Sequence, residues 1–387
     1  MIICKRNINT DYQSMILCVL FFGLFVIDAI SKYYRHAYDD TPSNIPRVAF
    51  LLVCILIIMT KNNKKTITVV FLCLSMSIIF SIGLILNDKI VNAELFEPFF
   101  QLFKYMSGLL VMYACYTCKN KKIISNTFFY LFIINCIAAI ASLLLDIQWM
   151  RTYGHIRDSV GHLIDLRFGY NGFILEQNVS TFFYIAGIYC TYYQVKYLGR
   201  SKLYFIIAII SCSIIGTKAV AITLFMLPIF ILFRHNNTKL AAIIFVAMAS
   251  SYVLISTNVI TYDIANKMLS FRPYNFVNRL YPLLSDYDVF TLLFGFQISD
   301  YTKYLTEFEI VDMVSFFGVI ITIIYLILFC YLCLLFVNST KTKEISFNYI
   351  ITIFIASSLS GHLFYDPISM IYASFGLASI TIADSQC

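Results

Sequence analysis

Twelve apolar stretches separated by short polar connections dominate this chain and leave few folds open to it. They fall at about 14–30, 48–60, 66–86, 99–117, 124–145, 179–195, 203–216, 218–233, 240–256, 314–337, 347–361 and 367–383. Many approach the ~17–25 apolar residues needed to cross a bilayer. The composition agrees, with 60% hydrophobic residues, 13% charged residues and a mean hydropathy of +0.80, well outside the balance of soluble domains. The expected fold is an all-α polytopic integral membrane protein of about 12 transmembrane helices, a single transmembrane domain over residues 1–387. The least marked division lies between 203–216 and 218–233, where only Thr217 and Lys218 offer a turn.

Charge orients the helices. Short cytoplasmic connections concentrate Lys and Arg. With both termini cytoplasmic, those connections hold Lys61/Lys64/Lys65, Lys119/Lys121/Lys122, Lys196/Arg200/Lys202, Arg234/Lys239 and Lys341/Lys343, with Glu344 the exception among them. The opposite connections, 31–47, 87–98, 146–178 and 257–313, collect most of the Asp and Glu. This alternation favours a hairpin over 203–233. No small-x-small cleavage site follows the first run, so it is expected to be an uncleaved helix. The net charge of +7 comes largely from the cytoplasmic turns and reports on insertion, not on nucleic-acid binding. Most of the twelve cysteines lie in apolar runs and none in an outward loop, so they are expected to pack as small hydrophobes. The pairs Cys115/Cys118 and Cys330/Cys333 have no visible partner ligands, and neither a metal nor another cofactor is expected.

Two long outward loops, 146–178 and 257–313, are the expected functional parts, because long loops in a compact protein are usually either functional or disordered and neither of these is Gly/Ser/Pro-rich. Arginine suits bidentate contact with phosphate, and Arg167, Arg272 and Arg279 fall near segment ends at headgroup depth. The alternative is that such arginines snorkel to ordinary phospholipids, which is the favoured reading for Arg151 and Arg157. Arg167-Phe-Gly-Tyr-Asn-Gly-Phe-Ile-Leu-Glu176-Gln-Asn178 packs charge against the start of a membrane helix, a costly placement unless something polar binds there. Glu176 is either a helix cap or a general base, and Asn178 is a natural N-cap with the same ambiguity. Gly169 and Gly172 indicate a sharp turn or a close approach of ligand to backbone. Glu309 and Asp312, three apart, share a helix face as either catalytic acids or surface charge. His362 is a further candidate base or a buried helix-end histidine.

Arg167 followed by Gly172-Phe-Ile-Leu-Glu176-Gln-Asn178 at a helix entry resembles the motif of the bacterial O-antigen and capsular polysaccharide polymerases, the Wzy-type enzymes. The likeness continues through Ser211-Cys-Ser-Ile-Ile-Gly-Thr-Lys218, Leu292-Leu-Phe-Gly295, Glu309-Ile-Val-Asp312, Phe317-Gly318 and Gly361-His362. It departs from the family pattern in an arginine-to-glycine spacing two residues longer and in Gln177 at a position usually held by proline. The resemblance implies a membrane glycosyltransferase of the inner (cytoplasmic) membrane, working on its periplasmic face in lipopolysaccharide or capsule biosynthesis. Its substrates would be oligosaccharides linked to undecaprenyl diphosphate, with a flippase and a chain-length regulator as partners. Arginines would hold the diphosphate leaving group while Glu176, Glu309, Asp312 or His362 activates the acceptor hydroxyl. Arg167, Arg272, Arg279, Asn178 and Gly172 would form the binding surface.

Three other readings compete, one of them a non-catalytic assembly protein, in which the arginine and glutamate positions would be freely replaceable. The O-antigen ligases of the same superfamily carry a histidine in the second large loop, and residues 257–313 contain none. A lipid-linked oligosaccharide flippase or another secondary transporter would keep its charges inside the bundle. Asp28 and Lys104 are the few charges the sequence places within spans.

Overall fold

Every apolar run that falls within the described residues is helical in the computed structural model. It describes residues 12–38, 44–61, 63–86, 96–152, 168–232, 261, 271–282, 288–296, 304–338, 342–360 and 363–382. The run at 240–256 lies outside them. In chain order the helices are α1 (Tyr12–Tyr38), α2 (Asn44–Met59), α3 (Lys64–Leu86), α4 (Phe96–Thr117), α5 (Lys121–Leu145), α6 (Gln177–Tyr197), α7 (Lys202–Ile214) and α8 (Lys218–Leu232). Then come two short helices, α9 (Arg272–Asn275) and α10 (Val289–Phe294), followed by α11 (Glu309–Asn338), α12 (Lys343–Ser360) and α13 (Pro367–Ser379). Among the described residues no strand forms, and the one isolated bridge joins Arg151 to Tyr170. Four of the described helices, α1, α3, α5 and α11, are long and apolar enough to cross a membrane. Three shorter apolar helices, in α2, α7 and α8, accompany them. This is consistent with an all-α membrane protein, in which helices close every backbone hydrogen bond within themselves.

Helix α1 shows how the sequence builds a face. Its buried residues, Leu17, Phe21, Leu24, Phe25, Asp28, Ser31 and Lys32, recur at three- and four-residue intervals. The stripe is apolar along most of the helix and becomes charged near its C-terminal end. The opposite face exposes Val19, Phe22, Val26 and Ile30, as a lipid-facing surface would. The apolar run ends near residue 30, yet the helix continues to Tyr38 and brings Lys32 and Arg35 into ordered structure. The expected connection 31–47 is correspondingly shorter.

Helices α6 and α13 occupy the centre. Both are buried on nearly all sides, and α13 packs against α4, α5 and α6. Gly376 on α13 permits their close crossing, because a Cβ there would stand 2.4 Å from the Ala186 Cβ of α6. Aromatic rings fill the neighbouring space, with Phe21 stacked on Phe375 at 3.9 Å and Phe183 edge-on to Tyr372 at 4.8 Å. Helices α7 and α8 are separate, joined by a turn over 215–217, so two segments stand where the sequence marks only a faint break. The ten described cysteines are free, and all but Cys330 are buried.

Candidate functional site at the charged end of the bundle

The described part of the first long loop, 146–152 and 168–178, turns into the bundle. Arg167 and His362 lie outside the described residues. Thr152 N–H donates to the Gly169 carbonyl (2.9 Å) and Asn171 N–H to the Met150 carbonyl (3.2 Å), pairing the two legs of the loop. The loop also docks on the α7–α8 turn, where Thr152 Oγ1 donates to the Ile215 carbonyl at 2.9 Å. At the centre lies the buried Lys32 ammonium. It donates to the carbonyls of Gly172 (2.7 Å) and Met150 (3.3 Å) and to Asn171 Oδ1. Asn135 completes the clasp, donating to the Asn171 carbonyl at 3.1 Å and accepting from Phe173 N–H at 2.8 Å. Gly172 has φ +69, and a Cβ there would sit 2.5 Å from Asn135 Oδ1. Its missing side chain therefore admits Asn135, not a ligand.

Helix α6 begins at Gln177, so Asn178 lies inside the first turn and is not the cap. Glu176 holds the cap position, but its side chain makes no capping bond. It pairs instead with Arg35 Nη2 at 3.5 Å, half exposed. At the outer edge of the loop, Tyr170 hydroxyl and then Arg151 hold the Asp146 carboxyl below its ordinary range.

The second long loop converges on the start of α11. Glu309 and Asp312 share that first turn, and both are buried, at 5% and 3% exposed, which excludes ordinary surface charge. Asp312 Oδ1 accepts the Thr306 N–H (2.8 Å) and hydroxyl (2.7 Å), fastening the preceding loop. Glu309 Oε1 accepts the N–H groups of Phe364 and, at 3.3 Å, Tyr365. Its Oε2 is buried with no hydrogen-bond partner among the described residues. Arg272, expected to face lipid headgroups, is 1% exposed. Its Nη1 donates to the Ser358 carbonyl and its Nε stands 3.7 Å from Glu307 Oε2. Burial pulls the Arg272 guanidinium below its ordinary value, with Glu307 and then Glu309 acting in the opposite direction. Phe271 (φ +63), just before Arg272, and Glu307 (φ +67) itself take left-handed backbone. Arg279, in the π-helix Phe276–Leu280 that continues α9, is exposed.

Two glycines hold the loop on the helix. Gly318 breaks α11 at φ +78, ψ +170, and Gly295 ends α10 at φ +79. A Cβ on Gly318 would stand 2.1 Å from the Leu293 carbonyl oxygen, and one on Gly295 would stand 2.2 Å from that of Phe316. The Leu292–Gly295 and Phe317–Gly318 motifs, separate in sequence, thus meet in space.

Beside this cluster lies a cavity of about 370 Å³, lined by Arg47 of α2, Lys104 of α4, and Tyr365 and Asp366 before α13. Leu51, Phe100, Phe103 and Ile371 supply apolar walls. Lys104 Nζ lies 3.5 Å from the Tyr365 hydroxyl and 4.8 Å from the Phe100 ring centre. Behind Arg47, the buried Asp28 carboxylate accepts from Arg47 Nη2 (3.5 Å) and from the Tyr372 hydroxyl (3.1 Å). Asp366 is turned toward helix α13, where it accepts the N–H groups of Ile368 (3.3 Å) and Ser369 (3.1 Å). Burial, with Asp366 nearby, pushes the Tyr365 hydroxyl up to about 12, so it remains a proton donor near neutrality. The pocket thus offers two cations and a phenol at the mouth of an apolar cleft. Tyr365 links it to Glu309, whose carboxylate holds the Tyr365 N–H from behind.

The sequence reading missed Lys32, Arg35, Arg47 and Asp366. A signal existed for Lys32, which continues the buried stripe of α1 in register with Leu17 and Phe21. Arg47 and Asp366 carry no such mark. No family profile matches the chain, and neither a curated protein nor a solved structure shows significant similarity to it.

Proposed function

We propose that the chain is a polysaccharide polymerase. It transfers a growing O-antigen or capsule glycan from undecaprenyl diphosphate to the next lipid-linked repeat unit at the periplasmic face of the bacterial inner membrane. The observation that carries this reading is the cavity in which Arg47 and Lys104 stand over Leu51, Phe100, Phe103 and Ile371. A diphosphate ester of a polyprenol needs that combination, with cations for the headgroup and an apolar cleft for the first isoprenes. In the reaction the acceptor hydroxyl gives its proton to a carboxylate, and the oxygen bonds to the anomeric carbon of the donor glycan. The bond from that carbon to the diphosphate breaks, and the diphosphate leaves with the electron pair, stabilised by the cations. Glu309 suits the base because one of its oxygens is held by backbone N–H groups and the other has no hydrogen-bond partner among the described residues. Arg167 remains the loop arginine proposed to contact the substrate. Both termini are assigned to the cytoplasm, with the lysine-rich connections, by the positive-inside rule.

The test is deletion of the gene in the cell of origin, followed by analysis of surface glycan length. A polymerase leaves carriers bearing a single repeat unit and no ladder. The buried charges Asp28, Lys32, Glu309 and Asp312 favour a second reading, a lipid-linked oligosaccharide flippase. Loss of all surface glycan, with repeat units trapped inside, would support that reading instead. Arg167→Ala is expected to stop chain growth at an unchanged protein level.

A further inference from the structure

We infer that the opposite end of the bundle carries a binding site for a phosphate-bearing anion, independently of the polymerase reading. The α2–α3 and α4–α5 turns enclose a cavity of about 700 Å³ lined by Lys61, Lys64, Lys65, Lys119 and Lys121. Along α4 it lies ~20 Å from Lys104, at 1.5 Å of rise per residue. The chain segments that bring these lysines together, 61–65 and 113–121, contain no Asp or Glu. Asp384, three residues past the lining residue Thr381, lies outside the described residues.

Lys65 and Lys121 reach hydroxyls and rings that soften their charge without neutralising it. Lys121 is 7% exposed, with its ammonium 4.8 Å from the Phe336 ring centre and 5.3 Å from that of Tyr116. Its hydroxyl partner, Thr381 Oγ1, is 3.5 Å away. Lys65 donates to the Tyr116 hydroxyl at 2.7 Å. The wall beneath is fixed by Thr66, whose hydroxyl bonds that of Tyr113 (2.9 Å) and whose N–H donates to Asn63 Oδ1 (2.9 Å). A concavity lined by five lysines and, among its described residues, by no acid gathers an anion, because each cation adds to the field. Lysine ammonium groups bind phosphate oxygens as point charges, and basic pockets between membrane helices take anionic headgroups in this way. Phosphate is therefore the shared chemistry, and a lipid headgroup or a soluble phosphate compound is its source.

Thermal unfolding of the purified full-length protein in detergent tests this, with cardiolipin, sodium pyrophosphate or phosphatidylcholine added. The expected result is a rise in Tm of about 3 °C or more with a phosphate anion and none with phosphatidylcholine. A response to cardiolipin alone assigns the site to a lipid headgroup, and a response to pyrophosphate assigns it to a soluble phosphate. Lys64→Gln/Lys65→Gln and, separately, Lys119→Gln change exposed residues and are expected to fold and to lose most of the response. No response to either anion, or an undiminished response in both variants, would overturn the inference.

Discussion

The two ends of the helical bundle treat their cations in opposite ways. At one end Arg47 meets Asp28, Arg35 meets Glu176, Arg272 meets Glu307, and Lys32 is enclosed by three oxygens. At the other, Lys65 and Lys121 meet hydroxyls and aromatic rings, and the segments around them are free of acids. The first arrangement builds fixed geometry, since a buried charge keeps its place only where its partners are set. The second leaves charge for something outside the chain. Within the first end there is a further division. Lys32 and Arg272 are used up by internal bonds, whereas Lys104 faces a cavity, where it meets the Tyr365 hydroxyl and aromatic rings and where Asp366 also lines the wall.

This contrast can be broken by substitution. The largest effect is expected for Lys32→Met, which takes this buried donor from the Gly172 carbonyl and Asn171 Oδ1, while the Met150 carbonyl keeps the Asn171 N–H. Thermal or chemical unfolding in detergent is expected to register a loss of about 3 kcal/mol, at roughly 1–3 kcal/mol per unsatisfied group. Cleavage by added protease within 146–178 is expected to rise in parallel. An unchanged transition would mean that the clasp is not what orders this loop.

Gly318→Ala comes next. The left-handed backbone adds about 1–3 kcal/mol of strain, and the new Cβ would meet the Leu293 carbonyl. The expected outcome is release of α10 from α11, read as faster hydrogen exchange over 289–296. At the lysine-rich end, Lys65→Gln loses one exposed contact and is expected to shift stability by less than about 0.5 kcal/mol. A loss as large as that of Lys32→Met would erase the distinction between the ends.

The smallest effect concerns Asp146, whose carboxyl is held below its ordinary range by Tyr170 and Arg151. A lowered value means that its contribution is present above the ordinary aspartate pKa of about 3.9 and fades as pH falls through the lowered one. Asp146→Asn is therefore expected to differ slightly from the parent at pH 7 and to match it at strongly acidic pH. An identical difference at both would detach the Tyr170–Asp146–Arg151 contact from stability.

The helices were legible because hydrophobic runs and charged turns are local signals. The doublet Glu309/Asp312 and the glycines at 172, 295 and 318 were also legible, since helix spacing and backbone demands leave marks in a few residues. Their partners were not. Lys32 and Asn171 are 139 positions apart, and nothing near either residue announces the other. The stretch 168–178 therefore read as a surface site, although most of its polar groups are spent on holding the loop inside the bundle. The burial of Arg272 was hidden for the same reason, because it is decided by the α12 carbonyl and the Glu307 carboxylate it meets. The cavity of Arg47, Lys104 and Tyr365 assembles from three distant segments, and Lys104 alone was noticeable as a charge within a span.

The most direct test of the proposed site is the glycan ladder made by cells carrying Lys104→Gln, beside cells carrying Lys65→Gln, at matched protein levels. If the cavity holds the lipid diphosphate, removing one charge-stabilising group is expected to slow chain extension about 10²-fold. The Lys104→Gln ladder would then collapse to single repeat units while the Lys65→Gln ladder stays full. A full ladder from Lys104→Gln would contradict the assignment of diphosphate binding to this end of the bundle.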